Sequence, residues 1–193
     1  MMNKRTKNLL IVGVVGFALI VLFRKQIKTV VTLTAQKLAE IMANLKGYTK
    51  EQATRAWEAG TALKSLGLDD ERIAWVMAQI AFETGHYKNT GTIKDNNLSG
   101  IKYFGQPGAT PGSKAPSNEG KNPYAHYLTI LDWAKDYLRI MNKVGKYRPL
   151  EASSVEEFVT RLKKNGYFGG DLTTYTRGVK SLVNFYKPFI KLL

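Results

Sequence analysis

The sequence predicts a mainly helical domain with one small irregular or β lobe, preceded by an N-terminal transmembrane helix and an amphipathic stalk. Three observations predict this fold class: helical periodicity with clear start and stop signals over most of residues 48–193, a proline- and glycine-rich interruption at 86–123, and one uninterrupted apolar run near the N-terminus. With 193 residues, the chain has room for one domain and an appendage, but not for two ordinary domains and a linker.

The composition narrows the chemistry that the chain can support. It contains no cysteine, which excludes disulfides, thiol nucleophiles and cysteine-bound metal clusters. Its two histidines, His86 and His126, are too few for a histidine-rich metal site, so we expect no metal and no cofactor. The net charge of +14 indicates an anionic environment such as nucleic acid, phospholipid headgroups or the bacterial cell wall. Charge alone does not choose among these environments.

Residues 1–28 are predicted to form a membrane anchor. The segment 9–23 is an unbroken apolar run, LLIVGVVGFALIVLF, with basic residues on both sides. As a helix it spans about 22 Å, whereas residues 6–28 as one helix reach about 34 Å and cross the roughly 30 Å hydrocarbon layer. A cleavable signal peptide would need small residues after the run, but Arg-Lys-Gln follows at 24–26, which favours an uncleaved anchor. Because both flanks are basic, charge does not orient the segment.

Residues 29–47 are predicted to continue as an amphipathic helical stalk that Gly47 ends. Apolar residues recur at helical spacing, so one face of this helix needs a partner. That partner is the domain that follows, a second copy of the stalk, or the membrane surface, and packing on the domain is favoured for a short chain. The apolar positions are Ile27, Val30, Val31, Thr34, Leu38, Ile41, Met42 and Leu45.

Two helices with clear caps open the domain. Thr49 and Gln52 form a capping-box pattern that begins a helix, and Gly67 closes it. Acidic residues at 69–71 begin a second helix, where the helix dipole favours them, and Gly85 ends it in a left-handed cap. Apolar residues lie nearly all round this second helix, so it is predicted to be central and buried.

The segment 86–123 lacks helical periodicity and is predicted to form the lobe. Short extended pieces such as Leu98–Phe104 are expected to pair there as a small hairpin or to stay irregular. Helices are predicted to resume at 127–144, from Ser153 or Ser154 to Asn165, and from Thr174 to the C-terminus. A cleft between the lobe and the helices is the expected site.

Glu83 is the strongest candidate for chemistry. It lies in the last turn of the buried helix, where the negative end of the dipole and apolar neighbours both disfavour ionisation. Its pKa is therefore predicted to be raised, which is what a general acid needs to protonate a glycosidic oxygen. The alternative from spacing alone is a capping or salt-bridged glutamate near Lys88.

Three segments carry a family resemblance. They are residues 78–85 (AQIAFETG), residues 96–102 (NNLSGIK) and the stretch 162–175, which contains Leu-Lys-Lys-Asn-Gly-Tyr and ends on Tyr175. In type, order and spacing they resemble the glucosaminidase family of peptidoglycan hydrolases, which includes the flagellar muramidase domain and many phage and bacterial autolysins. The resemblance implies a lysozyme-like helical fold with residues 48–193 as the catalytic domain.

The resemblance also implies roles for individual residues. Glu83 matches the family's catalytic acid at the cleft floor, and Tyr167 matches a tyrosine that lines the cleft near the acid, so both are predicted to belong to the catalytic site. Packing in the core is the alternative for Tyr167. The expected substrate-binding residues are Asn96 and Asn97, which match the pair that begins the lobe strand, and the aromatic residues Tyr103, Tyr124 and Tyr175.

The sequence departs from the family pattern at two places. Ser99 stands where the family usually has phenylalanine, and Phe168-Gly169-Gly170 replaces Ala-Thr just before Asp171. Contacts in the cleft are therefore expected to differ from those of the family.

The family's second carboxylate has no clear counterpart in this sequence. The candidates are Glu119, Asp95 and Asp132. Glu119 is the favoured second catalytic residue because its Gly-, Pro- and Asn-rich loop can close over substrate, whereas Asp132 lies within a predicted helix. Without a second acid, a single-Glu route, as in lytic transglycosylases, would use the sugar's N-acetyl group or 6-hydroxyl as the nucleophile.

Two remaining features have ordinary explanations. His86 is expected on the surface or on the cleft wall, because no cluster of metal ligands surrounds it in the sequence. A basic stretch is expected to be a solvated face that also attracts wall polymers or headgroups. Its members are Lys146, Arg148, Arg161, Lys163 and Lys164.

Together these observations predict a membrane-anchored peptidoglycan hydrolase, of endo-N-acetylglucosaminidase or muramidase type, that cleaves the glycan strand between N-acetylated amino sugars. Its expected partners are glycan strands and, through residues 9–23, the lipid bilayer, with the catalytic domain on the wall side of a bacterial or virion membrane. The alternatives are a catalytically silent peptidoglycan-binding or structural membrane protein, and a single-Glu lytic transglycosylase. No specific nucleic-acid partner is expected, since no groove-reading or base-stacking motif accompanies the charge. Bond specificity and oligomeric state stay open.

Overall fold

The structure is a computed structural model that describes residues 34–89, 94–116, 121–143 and 147–193. By contact, Leu38–Leu193 form one compact unit. The predicted membrane segment at 9–23 lies outside the described residues. Among the described helices, none combines the length and the apolar character that crossing a bilayer requires.

Six α-helices and one short hairpin make up the described chain. In order they are α1 (Ala35–Asn44), α2 (Lys50–Ser65), α3 (Asp70–Thr84), β1 (Ala109–Pro111), β2 (Ala125–Tyr127), α4 (Ile130–Lys143), α5 (Val155–Lys164) and α6 (Leu172–Ile190), with a 3-10 turn at Pro149–Glu151. A mainly helical chain with a small β lobe is therefore confirmed.

The helix limits follow from local capping. Thr49 Oγ1 accepts from the backbone N–H of Gln52 at 3.3 Å, and the Gln52 side chain accepts from the backbone N–H of Thr49 at 2.8 Å, so the predicted capping box begins α2. Asp69 caps α3 by accepting from the backbone N–H of Arg72, and Gly85 ends it with φ +59°. Both predicted helices are confirmed with their caps.

The core is built around α3. Ten of its 15 residues are buried, so the prediction of a central helix is confirmed, and its most extensive packing partner among the described elements is α6. Ile41 of α1 and Leu45, which follows that helix, are fully buried as well, which contributes about 1.5–3 kcal/mol for each side chain. This part of the predicted stalk therefore packs on the domain, as favoured above.

The lobe contains a hairpin, but its strands lie further along the chain than expected. β1 and β2 pair antiparallel with Thr110 opposite His126, whereas within Leu98–Phe104 only Lys102 pairs, in an isolated bridge with Tyr124. Of the two predicted outcomes for 98–104, the piece stays mostly irregular and bonds to the chain before β2 through the Tyr103 N–H and the Ile101 carbonyl. A tight turn at 97–101, with the Asn97 side chain and the positive φ of Gly100, precedes this short contact.

The fourth helix also begins later than its apolar pattern predicts. Tyr127 was expected in the helix but belongs to β2, where it is fully buried. α4 starts at Ile130 because Thr129 Oγ1 accepts from the backbone N–H of Asp132 at 3.1 Å and so caps the first turn.

Candidate active site

An open groove of about 910 Å³ lies between the lobe and the helices, where the sequence predicted a cleft. The helical side contributes Glu83, Tyr137 and Tyr167, and the lobe contributes Ile101, Phe104 and Tyr124 among others. Phe104 is 76% exposed, so an aromatic ring stands in solvent at the groove. An aromatic groove of this size suits a sugar chain, because apolar ring faces stack on aromatic side chains.

Glu83 lines this groove, in the last turn of α3. The Tyr175 hydroxyl donates a hydrogen bond of 2.6 Å to Glu83 Oε1. Part of the residue is open to solvent, yet the protein atoms around the carboxyl desolvate it and raise its pKa to about 7. The Tyr175 hydrogen bond opposes the rise because it stabilises the ionised form, and the nearby polar groups of Gln79 and Tyr167 act in the same direction. No ion pair joins Glu83 to Lys88 or to another described residue, so the geometry supports the raised pKa over the salt-bridged alternative.

Two further side chains, Gln79 and Tyr137, lie near Glu83, and the sequence patterns predicted a role for neither of them. Gln79 lies one turn before Glu83 on the same face of α3, is fully buried, and accepts from the Tyr137 hydroxyl through Oε1 at 2.5 Å. Its Nε2 has no hydrogen bond of good geometry in the described structure, yet its amide lies close enough to Glu83 to lower the pKa of that carboxyl. The four-residue spacing of Gln79 and Glu83 is the signal that could have identified this pair.

Tyr167 lines the groove together with Glu83, and its predicted catalytic role stays a prediction. Its hydroxyl donates to the backbone carbonyl of Ser99 at 3.2 Å, which joins the helical side to the lobe. Burial and the neighbouring Glu83 charge raise the pKa of Tyr167 well above its usual value, so the phenol stays protonated and can donate. Ser99, one of the departures from the family pattern, also accepts from Trp133 Nε1 at 3.0 Å.

A sequence profile of one protein family matches residues 59–188, which is more than half of the chain. The profile is that of glucosaminidase, described as mannosyl-glycoprotein endo-beta-N-acetylglucosaminidase. The chain belongs to the glucosaminidase family. The resemblance to glucosaminidase-type peptidoglycan hydrolases is thereby confirmed, and the chain is a glycoside hydrolase.

Two solved structures are similar to this glucosaminidase. One is the glycoside hydrolase domain of FlgJ from Salmonella typhimurium, with a TM-score of 0.51 and 19% identity, covering 80% of this chain and 91% of that one. The other is the catalytic domain of the autolysin Auto from Listeria monocytogenes, with a TM-score of 0.50 and 19% identity, covering 84% of this chain and 99% of that one. At this identity the likeness concerns the fold alone. No curated protein matches the sequence significantly.

The asparagine pair of this glucosaminidase serves the lobe backbone. Asn97 lines the groove, but its side chain donates to the carbonyls of Ile101 at 2.7 Å and Ala125 at 2.9 Å and is 3% exposed. Asn96 donates to the carbonyl of Tyr127 at 2.9 Å and accepts from Arg55 Nη1 at 2.7 Å. Their predicted contacts with substrate stay predictions, and the observed bonds hold the lobe together.

The three predicted substrate-binding tyrosines have different positions. Tyr124 lines the groove, with Lys102 Nζ 3.7 Å from its ring centroid. Tyr175 is 7% exposed and contacts the acid through its hydroxyl, so its observed partner is Glu83 itself. Tyr103 is partly exposed and is not among the residues that line the groove. The substrate contacts of all three stay predictions.

A second carboxylate does not face Glu83 among the groove residues that the structure describes. Asp95 is 5% exposed and accepts from the backbone N–H of Ser113 at 2.9 Å, and Asp132 accepts from the Thr129 hydroxyl at 2.7 Å in the first turn of α4. Both carboxylates therefore have structural partners. The favoured candidate, Glu119, lies outside the described residues.

His86 lies on another side of the acid-bearing turn. Its Nδ1 is 2.8 Å from the Tyr48 hydroxyl, and the two rings meet edge to face. The described residues contain no cluster of three or more histidine or acidic side chains that could hold a metal ion. Nothing in the described groove therefore assigns His86 to a metal site.

Proposed function

We propose that this glucosaminidase hydrolyses peptidoglycan by cleaving the glycan strand between N-acetylated amino sugars, with Glu83 as the general acid. One observation carries the proposal: the Glu83 carboxyl, which accepts a hydrogen bond of 2.6 Å from Tyr175, lines a groove of about 910 Å³ between the lobe and the helices. Burial raises the pKa of this carboxyl to about 7. A carboxyl with a pKa near neutrality is half protonated at that pH and largely protonated below it, so it can give its proton to a leaving group.

The geometry supports separate roles for Glu83, as proton donor, and for Tyr175, as hydrogen-bond donor to Glu83. Protonated Glu83 gives its proton to the glycosidic oxygen while the bond from the sugar's anomeric carbon to that oxygen breaks. Water then adds to the anomeric carbon and loses a proton, and uptake of a proton returns Glu83 to its acid form. The carboxylate that forms on Glu83 receives hydrogen-bond donation from Tyr175, and this bond strengthens as the negative charge develops.

Two observations support a peptidoglycan substrate. The matching family acts on bonds of N-acetylglucosamine, according to its description. Lys102 lines the described groove, and its positive charge suits a strand that carries carboxylates on its peptides, whereas Arg139 lines the groove but is ion-paired with the buried Asp136.

A single-Glu lytic transglycosylase is the second candidate. Glu83 is the one carboxylate among the described residues that line the groove, which favours a route in which the sugar's own N-acetyl group or 6-hydroxyl attacks the anomeric carbon. Hydrolysis leaves a reducing sugar, whereas attack by the 6-hydroxyl leaves an anhydro sugar that is lighter by one water.

Zymography on purified peptidoglycan tests the role of Glu83. The wild type should clear the gel, Glu83→Gln should not, and the control Glu71→Gln, an exposed position on the same helix, should clear like the wild type. Equal clearing by Glu83→Gln would remove Glu83 from its role, and no clearing by wild type would favour a glycan-binding protein without activity. Mass spectrometry of the released fragments separates the two routes.

We also propose that residues 9–23 anchor the chain in a bacterial or virion membrane, with the catalytic domain on the wall side. The uninterrupted apolar run between basic flanks supports this, and the substrate's location orients it. After alkaline carbonate extraction, the full chain should stay in the membrane pellet, and a Val15→Glu/Leu19→Glu variant should move to the supernatant. A wild-type chain that is extracted would refute the anchor.

A further inference from the structure

The Tyr175 ring packs against two other aromatic rings. The rings of Phe168 and Tyr175 are stacked, with centroids 3.7 Å apart and planes 6° from parallel. Phe82 also meets the Tyr175 ring, edge to face at 5.0 Å. Stacked and edge-to-face pairs each contribute about 0.5–1.5 kcal/mol beyond the apolar area that they bury. The ring whose hydroxyl contacts Glu83 is therefore held by two aromatic neighbours.

Phe168 belongs to a loop whose composition favours a flexible backbone. Gly169 and Gly170 follow it, and glycine restricts the backbone least. Lys163, in the last turn of α5, counters this: its Nζ donates to the carbonyls of Gly169 at 2.9 Å and Gly170 at 2.7 Å, and lies 3.5 Å from that of Phe168. The three donors of an ammonium group suit three carbonyls. Lys163 also lies 5.2 Å from the centroid of the Phe168 ring.

The same loop sets the start of α6. Asp171 caps the helix by accepting from the backbone N–H of Thr174 at 2.8 Å, and the backbone N–H of Tyr175 donates to the Asp171 carbonyl at 3.1 Å. Tyr175 thus lies in the first turn of a helix whose cap adjoins the tied loop.

We propose that Phe168, held in place by Lys163, is a positioning residue that keeps the Tyr175 hydroxyl hydrogen-bonded to Glu83. The inference rests on the proposed function of Glu83 as the acid. Phe168 acts through Tyr175 and is not among the residues that line the described groove. Loss of the stack frees the Tyr175 ring to turn, and the carboxylate then loses its donor.

The pH dependence of the enzyme's rate should reveal whether Phe168 positions the Tyr175 hydroxyl. Three tyrosines on different elements face Glu83, namely Tyr137, Tyr167 and Tyr175, and all have pKa values raised by burial, so they stay neutral around pH 7. Lys102 and Arg139 are the charged groups that share the described groove with it. Since a donor to the carboxylate lowers the pKa of Glu83, losing that donor raises it.

Rate profiles of the full chain against pH test the proposal. In wild type, activity falls as pH rises through the pKa of Glu83, and this falling limb of the profile is the quantity to compare. In Phe168→Ala and in Tyr175→Phe the limb should move upward by about one pH unit. In Phe168→Tyr, which keeps an aromatic ring, the limb should stay at its wild-type position. If Phe168 acts through Tyr175, the double variant should show the limb of Tyr175→Phe alone. An unmoved limb in Phe168→Ala, or shifts that add in the double variant, would overturn the proposal.

A pair of adjacent lysines supplies a matched control. Lys163→Met should move the limb in the same direction as Phe168→Ala, while Lys164→Met, which removes a lysine that contacts Tyr147, should leave it in place. Identical profiles for the two lysine variants would refute the part assigned to Lys163. This comparison also keeps the proposal testable if Phe168→Ala does not fold.

Direct titration of the Glu83 side-chain carboxyl carbon by NMR separates this inference from the proposed function. An upward shift of its pKa in Phe168→Ala supports positioning whether or not the protein clears peptidoglycan. A wild-type enzyme that clears peptidoglycan, together with an unchanged pKa of Glu83 in Phe168→Ala, refutes positioning and leaves the proposed function intact.

Discussion

The Tyr175 hydroxyl donates a hydrogen bond of 2.6 Å to the Glu83 carboxyl, across 92 residues of chain. Glu83 ends α3 and Tyr175 lies in the first turn of α6, so the pairing of these two helices brings the acid and its donor together. Burial raises the pKa of the carboxyl, and the donor limits that rise. Near pH 7 the Glu83 carboxyl is therefore present in both its protonated and its ionised form.

The first prediction concerns the pH dependence of catalysis. A general acid must be protonated, so kcat/KM should fall as pH rises through the Glu83 pKa of about 7. Turbidity loss of cell-wall suspensions at constant ionic strength, between pH 5 and 9, measures this limb. A limb near the ordinary carboxyl value of 4.5 would contradict the raised pKa.

The second prediction concerns stability. Because the pKa of Glu83 is higher in the folded than in the unfolded chain, its stabilising contribution is complete below 4.5 and is lost as pH rises through about 7. Glu83→Gln removes this dependence, so its free energy of unfolding relative to wild type should rise by about 1 kcal/mol from pH 4 to pH 8, a value reduced for the solvent that reaches the carboxyl. Urea unfolding at both pH values measures it, with Glu71→Gln as the control that should show no such change. A difference that is constant with pH would contradict it.

The third prediction concerns the contact between α3 and α6. Phe82 lies against Gly178, where a Cβ atom would overlap its ring. Gly178→Ala should therefore lower the free energy of unfolding by about 1–2 kcal/mol, although alanine is the better helix former. At Gly169 a Cβ atom would meet nothing within 4 Å, so Gly169→Ala should be nearly neutral. Thermal unfolding of the two variants provides the comparison, and equal midpoints would show that the ring moves aside freely.

The fourth prediction concerns the lobe. Asn97 makes three hydrogen bonds to lobe backbone, with the carbonyls of Ile101 and Ala125 and the N–H of Ile101. Asn97→Ala removes all three bonds, although the Ile101 carbonyl keeps its bond from the Ala125 N–H, and should cost about 2–3 kcal/mol. Hydrogen exchange should show faster exchange at the Ile101 amide, whereas the exposed control Asn142→Ala should match wild type. Unchanged exchange at Ile101 would mean that other groups hold the turn.

Much of the helical frame could be predicted from the sequence, because caps are local. Thr49, Asp69 and Ser154 each accept from a backbone N–H three residues later, and Gly85 supplies the left-handed residue that ends α3. The hairpin could not be predicted in the same way. β1 and β2 pair across 13 intervening residues, and the buried Tyr127 has the apolar character of either a strand or a helix.

The sequence by itself determined that Glu83 ends a buried helix, that a groove-forming lobe follows, and that the chain resembles the glucosaminidase family, since each depends on residues close together in the chain. Only the tertiary structure decided which groups surround the acid. Tyr175 contacts Glu83, Phe168 stacks on Tyr175, and the Tyr137 hydroxyl binds Gln79, because packing of α3, α4 and α6 brings distant residues within hydrogen-bond reach. Proton affinity depends on that enclosure, which no local pattern specifies.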